Sequence, residues 1–248
     1  MQAAFYDKVE EILKKIRDTQ SETIEKLAEE LSEIVDKGGI IYTFGTGHSH
    51  LLAEEIFARA GGIIQVKGLL EPEFMLHEER NKSTLYERLP GLAKAVLEVN
   101  NVRSLDAIII ISNSGRNSVP VEMAIEAKKI GMLVIALTNV SHSKCVSSRD
   151  GSGKRLFEVA DYVLDNCGIP GDAALDVKGK PYKVAPTSTI AGAIILEALI
   201  AEITQKLIDK GKDAYVSMSA NLDGSDDYNK EQRKKIVERF PDLLFLLK

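Results

Sequence analysis

The sequence is short of several things that define common protein classes. It has no tryptophan, only two cysteines and only four histidines in 248 residues. Cys145 and Cys167 lack metal-ligand spacing, and no secretory leader is read before the charged amphipathic start, so reduced thiols in a cytoplasm are expected. No apolar run reaches the roughly 20 residues of a membrane span. The richest window, residues 190–203, contains Glu197 and Glu202 and reads as a core helix in which Glu197 needs an ion-pair partner or a helix edge. Positive charge is also scarce. Lys and Arg total 32 against 37 Asp and Glu, a net charge of −5, which disfavours general affinity for nucleic acid or an anionic membrane. No G-x-x-x-x-G-K-[ST] run occurs, which argues against a P-loop nucleotidase. Gly45-Thr46-Gly47 begins a G-x-G-x-x-G pattern, but His50 replaces its last glycine and the following strand ends in Lys67 rather than an acid. That argues against a dinucleotide site. No repeat or low-complexity tract is present.

What remains is a chain with 44% hydrophobic residues, long enough for one large core. Apolar residues recur every three or four positions from Phe5 to Ile34, with a lapse between Arg17 and Thr23. Thr19 followed by Glu22 resembles a capping box, so two helices with a break near residue 19 are predicted. Strands are predicted at 40–44, 63–66, 107–111, 132–137 and 162–164, with helices at 51–60, 84–100 (broken at Pro90-Gly91), 119–130, 190–208 and 225–240. Residues 67–83 and 141–153 read as loops, followed by a Gly/Pro/Asp-rich excursion through residue 180. Five apolar residues at 243–247 need cover from the domain or from a partner chain. Strands alternating with helices of this length imply a parallel α/β sheet covered on both faces.

Ligands of such sheets bind beyond the carboxyl ends of the strands. Three of those ends carry matching chemistry: Gly45 to Ser49, Ser112 to Ser118, and Thr187 to Thr189. Each supplies glycine for close backbone approach, or hydroxyls at a helix start where free N–H groups and the positive helix end favour an oxyanion. Any one of them is explained by ordinary helix capping. Three together point to a phosphate ester.

Gly45-Thr46-Gly47-His48-Ser49, then Ser112-Asn113-Ser114-Gly115-Arg116-Asn117-Ser118 with Glu122 downstream, then Pro186-Thr187-Ser188-Thr189 resemble the three signature loops of the sugar isomerase (SIS) domain family. The chain is most similar to the small bacterial phosphosugar-binding members related to phosphoheptose isomerase. The resemblance implies a single three-layer α/β domain with a five-stranded parallel flavodoxin-like sheet (the SIS fold), preceded by N-terminal helices. It implies an N-terminal helical segment at 1–37 that packs on the domain or on a dimer partner. The SIS domain would span 38–210 and a C-terminal extension 211–248, with a surface helix and an apolar tail. It also implies a homodimer, a small sugar phosphate as ligand, and no cofactor, nucleic acid or membrane partner. By matching position, Ser112, Ser114 and Asn117 hold the phosphate, while Gly45, Gly47, His48, Ser49, Asn113, Thr187, Ser188 and Thr189 complete the pocket. Arg116 either adds a charge-assisted bond or faces solvent.

Aldose–ketose isomerisation moves a proton between C1 and C2, so it needs a carboxylate or imidazole over the sugar. His50 and Glu54, four residues apart, share one face of the first helix and are the leading candidates. His77, beside Glu78 and Glu79 in the 67–83 loop, is the third. Glu55 faces another side and reads as a surface contact. Where phosphoheptose isomerases carry a glutamate, ten residues beyond Ser49, this chain has Arg59, which weakens an isomerase of that type. A zinc site from His48, His50, Glu54 and His77 is conceivable by ligand chemistry, but no H-x-x-x-H spacing supports it, and no metal is expected. Two other functions stay open: a non-catalytic phosphosugar sensor acting on a protein partner, and a lyase for an ether-linked amino-sugar phosphate.

Overall fold

The uninterrupted apolar run Ala107–Ile111 forms the central strand of a five-stranded sheet in a computed structural model, which describes every residue except Glu78, Arg80 and Lys248. In chain order the strands are β1 (Ile41–Gly45), β2 (Val66–Gly68), β3 (Ala107–Ile111), β4 (Leu133–Thr138) and β5 (Tyr162–Asp165). They pair in the order β2-β1-β3-β4-β5, all parallel. The helices are α1 (Gln2–Asp36), α2 (His48–Glu55), α3 (Lys82–Tyr86), α4 (Leu92–Val99), α5 (Ser118–Ile130), α6 (Val140–Lys144), α7 (Ser188–Asp209) and α8 (Ser225–Arg239).

Side chains alternate across the sheet, and the burial follows the alternation. Ile41, Ile109, Ile111, Ile135 and Leu137 pack with α1, α2 and α7. Tyr42, Phe44, Ile108, Ile110 and Val134 pack with α4 and α5 on the other face. Three layers result. Strand order reverses direction between β1 and β3, and the register sets Gly45 beside Ile111 and Ile111 beside Leu137. The loops leaving these strands therefore emerge side by side at a topological switch point.

Four local expectations need correction. First, α1 is one continuous helix. Thr19 does not cap a second helix; its hydroxyl donates to the Lys15 carbonyl at 2.8 Å, and Ser21 donates to Arg17 in the same way at 2.6 Å. The lapse in the apolar face is filled by Gln20, buried against the sheet, whose Oε1 accepts the Asp165 N–H at 2.9 Å. Second, the strand expected at 63–66 lies at Val66–Gly68. Residues 61–64 instead pair with 215–217: Ile64 N–H bonds Tyr215 O at 2.9 Å and Ser217 N–H bonds Gly62 O at 3.0 Å. Third, the 141–153 loop begins with α6, capped by Asn139, whose Oδ1 accepts the His142 N–H at 2.8 Å. Fourth, the excursion before α7 contains an antiparallel hairpin, β6 (Ala173–Asp176) with β7 (Lys183–Pro186).

In the C-terminal tail Leu243 is buried and Leu246 is partly buried against the sheet's second face, while Leu244, Phe245 and Leu247 stay exposed. Among the described residues no helix is long and apolar enough to cross a membrane.

Candidate functional site

The site is built where β1, β3, β4 and β5 end. At Gly45 a side chain would overlap the backbone of Ser49 and His50, so only glycine lets α2 start directly on the strand end. Gly47 then turns the chain at φ +57° as the residue before α2. Helical spacing divides α2 into two faces. His48, Ser49 and Leu52 line one cleft, and Gly47, His50, Leu51 and Glu54 line another.

The turn after β3 is closed from within, because Ser112 Oγ accepts the Gly115 N–H at 3.2 Å. Asn113 is held by its neighbours: its carbonyl accepts Asn139 N–H at 3.1 Å, and its Oδ1 accepts Asn166 Nδ2 at 2.8 Å. Asn117 precedes α5 without capping it, and its Oδ1 accepts Arg149 Nη1 at 3.0 Å. Ser114 is half-buried on the same turn.

The third loop is occupied in a way the sequence did not indicate. The Asp172 carboxylate, from the turn before β6, accepts the N–H groups of Thr187 at 3.0 Å and Ser188 at 2.8 Å, and the Ser188 hydroxyl at 2.7 Å. It takes the donors that capping logic offered to a phosphate. Thr187 Oγ1 remains buried without a hydrogen-bond partner.

The three loops meet in a narrow cleft of about 20 Å³. His48 and Ser49 from the first loop, Asn113 from the second and Ser188 and Thr189 from the third line it, over a floor that includes Ile111 and Leu137. Gly45, Gly47, Ser112, Ser114, Asn117 and Thr187 do not line it. Asn166 does, and the sequence reading missed it. Its signal was the polar, glycine-bearing run Asp165-Asn166-Cys167-Gly168 at a strand end, the same rule that singled out the other loops.

His50, Glu54 and His77 come together in the second cavity, of about 310 Å³. His50 is only 2% exposed; its Nδ1 lies 3.1 Å from the Gly45 carbonyl and its Nε2 3.5 Å from Glu54 Oε1. Burial lowers the pKa of His50, opposed by the Gly45 carbonyl and Glu54. A neutral ring with its proton on Nδ1 leaves a lone pair on Nε2, which is buried and makes no hydrogen bond. Glu79 is exposed in the same loop, and Glu78 lies outside the described residues. Arg59 sits between two carboxylates, 3.1 Å from Glu55 Oε1 and 3.1 Å from Glu197 Oε1, so Glu55 is a surface contact and Glu197 finds its partner within the chain. Among the described residues no three His, Cys, Asp or Glu side chains gather as a metal site requires.

A sequence model of the SIS domain matches residues 4–139. The chain belongs to the SIS-domain family. The match takes in α1 and the first two loops and stops short of the third. A UPF0309 protein of Halalkalibacterium halodurans is 49% identical over 218 residues, covering 88% of this chain and 90% of that protein. Another, from Geobacillus thermodenitrificans, is 39% identical over 240 residues, covering 97% and 96%. Among solved structures, a phosphoheptose isomerase from Francisella tularensis superposes with a TM-score of 0.53 at 16% identity, covering 82% of this chain and 96% of that one. The sugar isomerase domain of an RpiR transcription factor from Sphaerobacter thermophilus gives 0.50 at 16% identity, covering 97% and 99%. These likenesses establish the SIS fold, a five-stranded parallel sheet with flanking helices and an N-terminal helix.

Proposed function

We propose that this SIS protein binds a phosphorylated sugar, with the phosphate on the 112–118 turn and the sugar in the adjoining cleft, and interconverts its aldose and ketose forms. The observation that carries the reading is the convergence of His48, Ser49, Asn113, Ser188 and Thr189 from three separate loops on one small polar cleft. Hydroxyls, amides and an imidazole gathered from the ends of β1, β3 and β5 and the start of α7 suit a polyhydroxylated anion, and the apolar floor suits a ring or chain face. For the proton transfer, His50 is the candidate base and acts from the cavity beside the cleft: its ring is kept neutral by burial and its Nε2 is unspent. Glu54 and His77 flank it in the same cavity.

Proton exchange at C2 decides the matter. The protein is incubated in D₂O with a panel of hexose, heptose and amino-sugar phosphates and followed by NMR. Loss of the C2 proton signal with at least one substrate, abolished in His50→Ala, is the expected result. Binding without exchange across the panel removes the isomerase reading, and no binding at all removes the phosphosugar reading.

A second reading, a phosphosugar-binding module that signals to another protein, is favoured by one feature. His50 and Glu54 lie on a different face of α2 from the residues of the cleft. It expects unchanged ligand affinity and unchanged cellular function in the His50→Ala, Glu54→Ala double variant.

A further inference from the structure

We infer that Arg149, backed by Arg116 and Arg88, is a cationic clamp for a dianionic phosphomonoester at the start of α5. The inference rests on the phosphosugar reading and adds to it Arg149 and Arg88, which the shared loops do not contain.

Three arginines are brought to one place by backbone contacts. The Arg149 N–H bonds the Arg116 carbonyl at 2.7 Å, and Arg88 follows Glu87, whose carbonyl accepts the Val119 N–H at 3.0 Å. Their charges act on each other: the Arg149 pKa is lowered by loss of water and then by Arg116 and Arg88, with Glu87 opposing. Gathering like charges is unfavourable unless an anion joins them. Among the described residues no acid comes within ion-pairing distance of these arginines; Glu87 Oε2 accepts the Thr46 hydroxyl at 2.6 Å, and Asp150 Oδ1 accepts the Ser152 N–H at 2.9 Å.

The guanidinium groups spend their visible bonds on neutral oxygens. Arg149 Nη1 donates to Asn117 Oδ1 at 3.0 Å and Arg116 Nη2 to Ser147 Oγ at 3.1 Å, while Arg116 Nε is buried with no hydrogen-bond partner. Asn117 is the residue that would ordinarily cap α5, and with its oxygen turned to Arg149 the helix end is left without a side-chain cap. Val119 gives its N–H to Glu87 and Pro120 has none, which leaves the Ser118 N–H at the positive end of a 13-residue helix, next in the chain to Asn117, whose side chain Arg149 holds. A tetrahedral dianion with several acceptor oxygens is the chemistry these donors fit; Arg forks bind it in pairs. Arg149 lies beyond the residues matched by the family model, so the 141–155 loop of this chain supplies the clamp.

The test is a titration with inorganic phosphate at pH 8 and fixed ionic strength, followed by ³¹P line broadening. It uses the wild type and the Arg149→Gln, Arg149→Lys and Arg17→Gln variants, with folding checked by circular dichroism. Arg17 is an exposed residue of α1, so its variant carries the same charge change away from the site. Saturable binding by the wild type, about tenfold or more weaker in Arg149→Gln, intermediate in Arg149→Lys and unchanged in Arg17→Gln, is the expected pattern. Wild-type binding that Arg149→Gln weakens no more than Arg17→Gln does overturns the clamp and leaves the phosphosugar reading standing. Absence of saturable phosphate binding by the wild type overturns the clamp, and the phosphosugar reading falls with it when the sugar-phosphate panel also fails to bind.

Discussion

Asp106 and Thr187 are both buried, at opposite ends of the molecule's central layer, and their surroundings differ in kind. Asp106, where β3 begins, accepts the Ile40 N–H at 2.9 Å, the Arg103 N–H at 2.7 Å and the Arg103 guanidinium at 2.7 and 3.2 Å. Nearby, Gln65 Nε2 donates to the carbonyls of Val35 and Gly39, both at 2.9 Å, tying the end of α1 to the sheet. At the carboxyl ends the buried polar atoms are left over: His50 Nε2, Arg116 Nε, Ser143 Oγ and Thr187 Oγ1 have no hydrogen-bond partner. Away from those ends, Gln65 Oε1 and Ser225 Oγ are left over in the same way. Each such atom costs about 1–3 kcal/mol when it stays dry and unpaired. One end of the sheet is arranged for stability, and the other keeps donors and acceptors that a ligand can use.

The strongest way to break this contrast is at the satisfied end. Asp106→Ala removes the acceptor of four bonds and leaves Arg103 without its partner, so unfolding in urea is expected to show a loss of about 3–5 kcal/mol. A loss below 1 kcal/mol would mean that Asp106 does not anchor β1 to β3.

A smaller effect is expected from pH. His50 has an ordinary value of 6.5 that burial lowers in the folded chain, so the unfolded chain binds the proton first as pH falls. Stability from this group is therefore full above about pH 6.5 and declines below it, until the folded ring itself titrates. Thermal melting between pH 7.5 and 5.5 should show a decline that is shallower in His50→Gln. Equal slopes would remove burial of a neutral ring as the cause.

The smallest change in stability belongs to Thr187→Val, which replaces an unpaired hydroxyl with a methyl of similar shape. Stability should stay within about 1 kcal/mol of the wild type or rise. Affinity for a bound sugar phosphate, measured by calorimetry, should fall only modestly, because Thr187 adjoins Ser188 and Thr189 of the cleft without lining it. A large loss of stability would show that the hydroxyl is structurally committed and not held for a ligand.

The elements most legible in the sequence are those whose evidence is local. The run Ala107–Ile111 is a strand with the expected bounds, and the helices predicted at 119–130 and 190–208 are α5 and α7 within two residues at each end. The polar ends after β1 and β3 were legible for the same reason, since a hydroxyl or glycine beside an apolar run is visible without its partner; the third, Thr187 to Thr189, follows β7 of the antiparallel hairpin and not a strand of the parallel sheet. What escaped depends on residues far away in the chain. The continuity of α1 turns on Gln20 meeting Asp165, the place of β2 on residues 61–64 meeting 215–217, and the state of the α7 start on Asp172. None of these pairings has a spacing to read.

Alternating apolar runs and helical stripes, acting over a few residues, sufficed to dictate a parallel α/β layer structure and to mark where its polar ends lie. Only the folded chain decided which of those ends share a cleft. It also set His50, Glu54 and His77 in a neighbouring cavity, and it carried Arg149 from the 141–155 loop to the start of α5. Local sequence determines conformations with periodic signatures, whereas long-range hydrogen bonds and charge contacts exist only once the sheet has fixed its register.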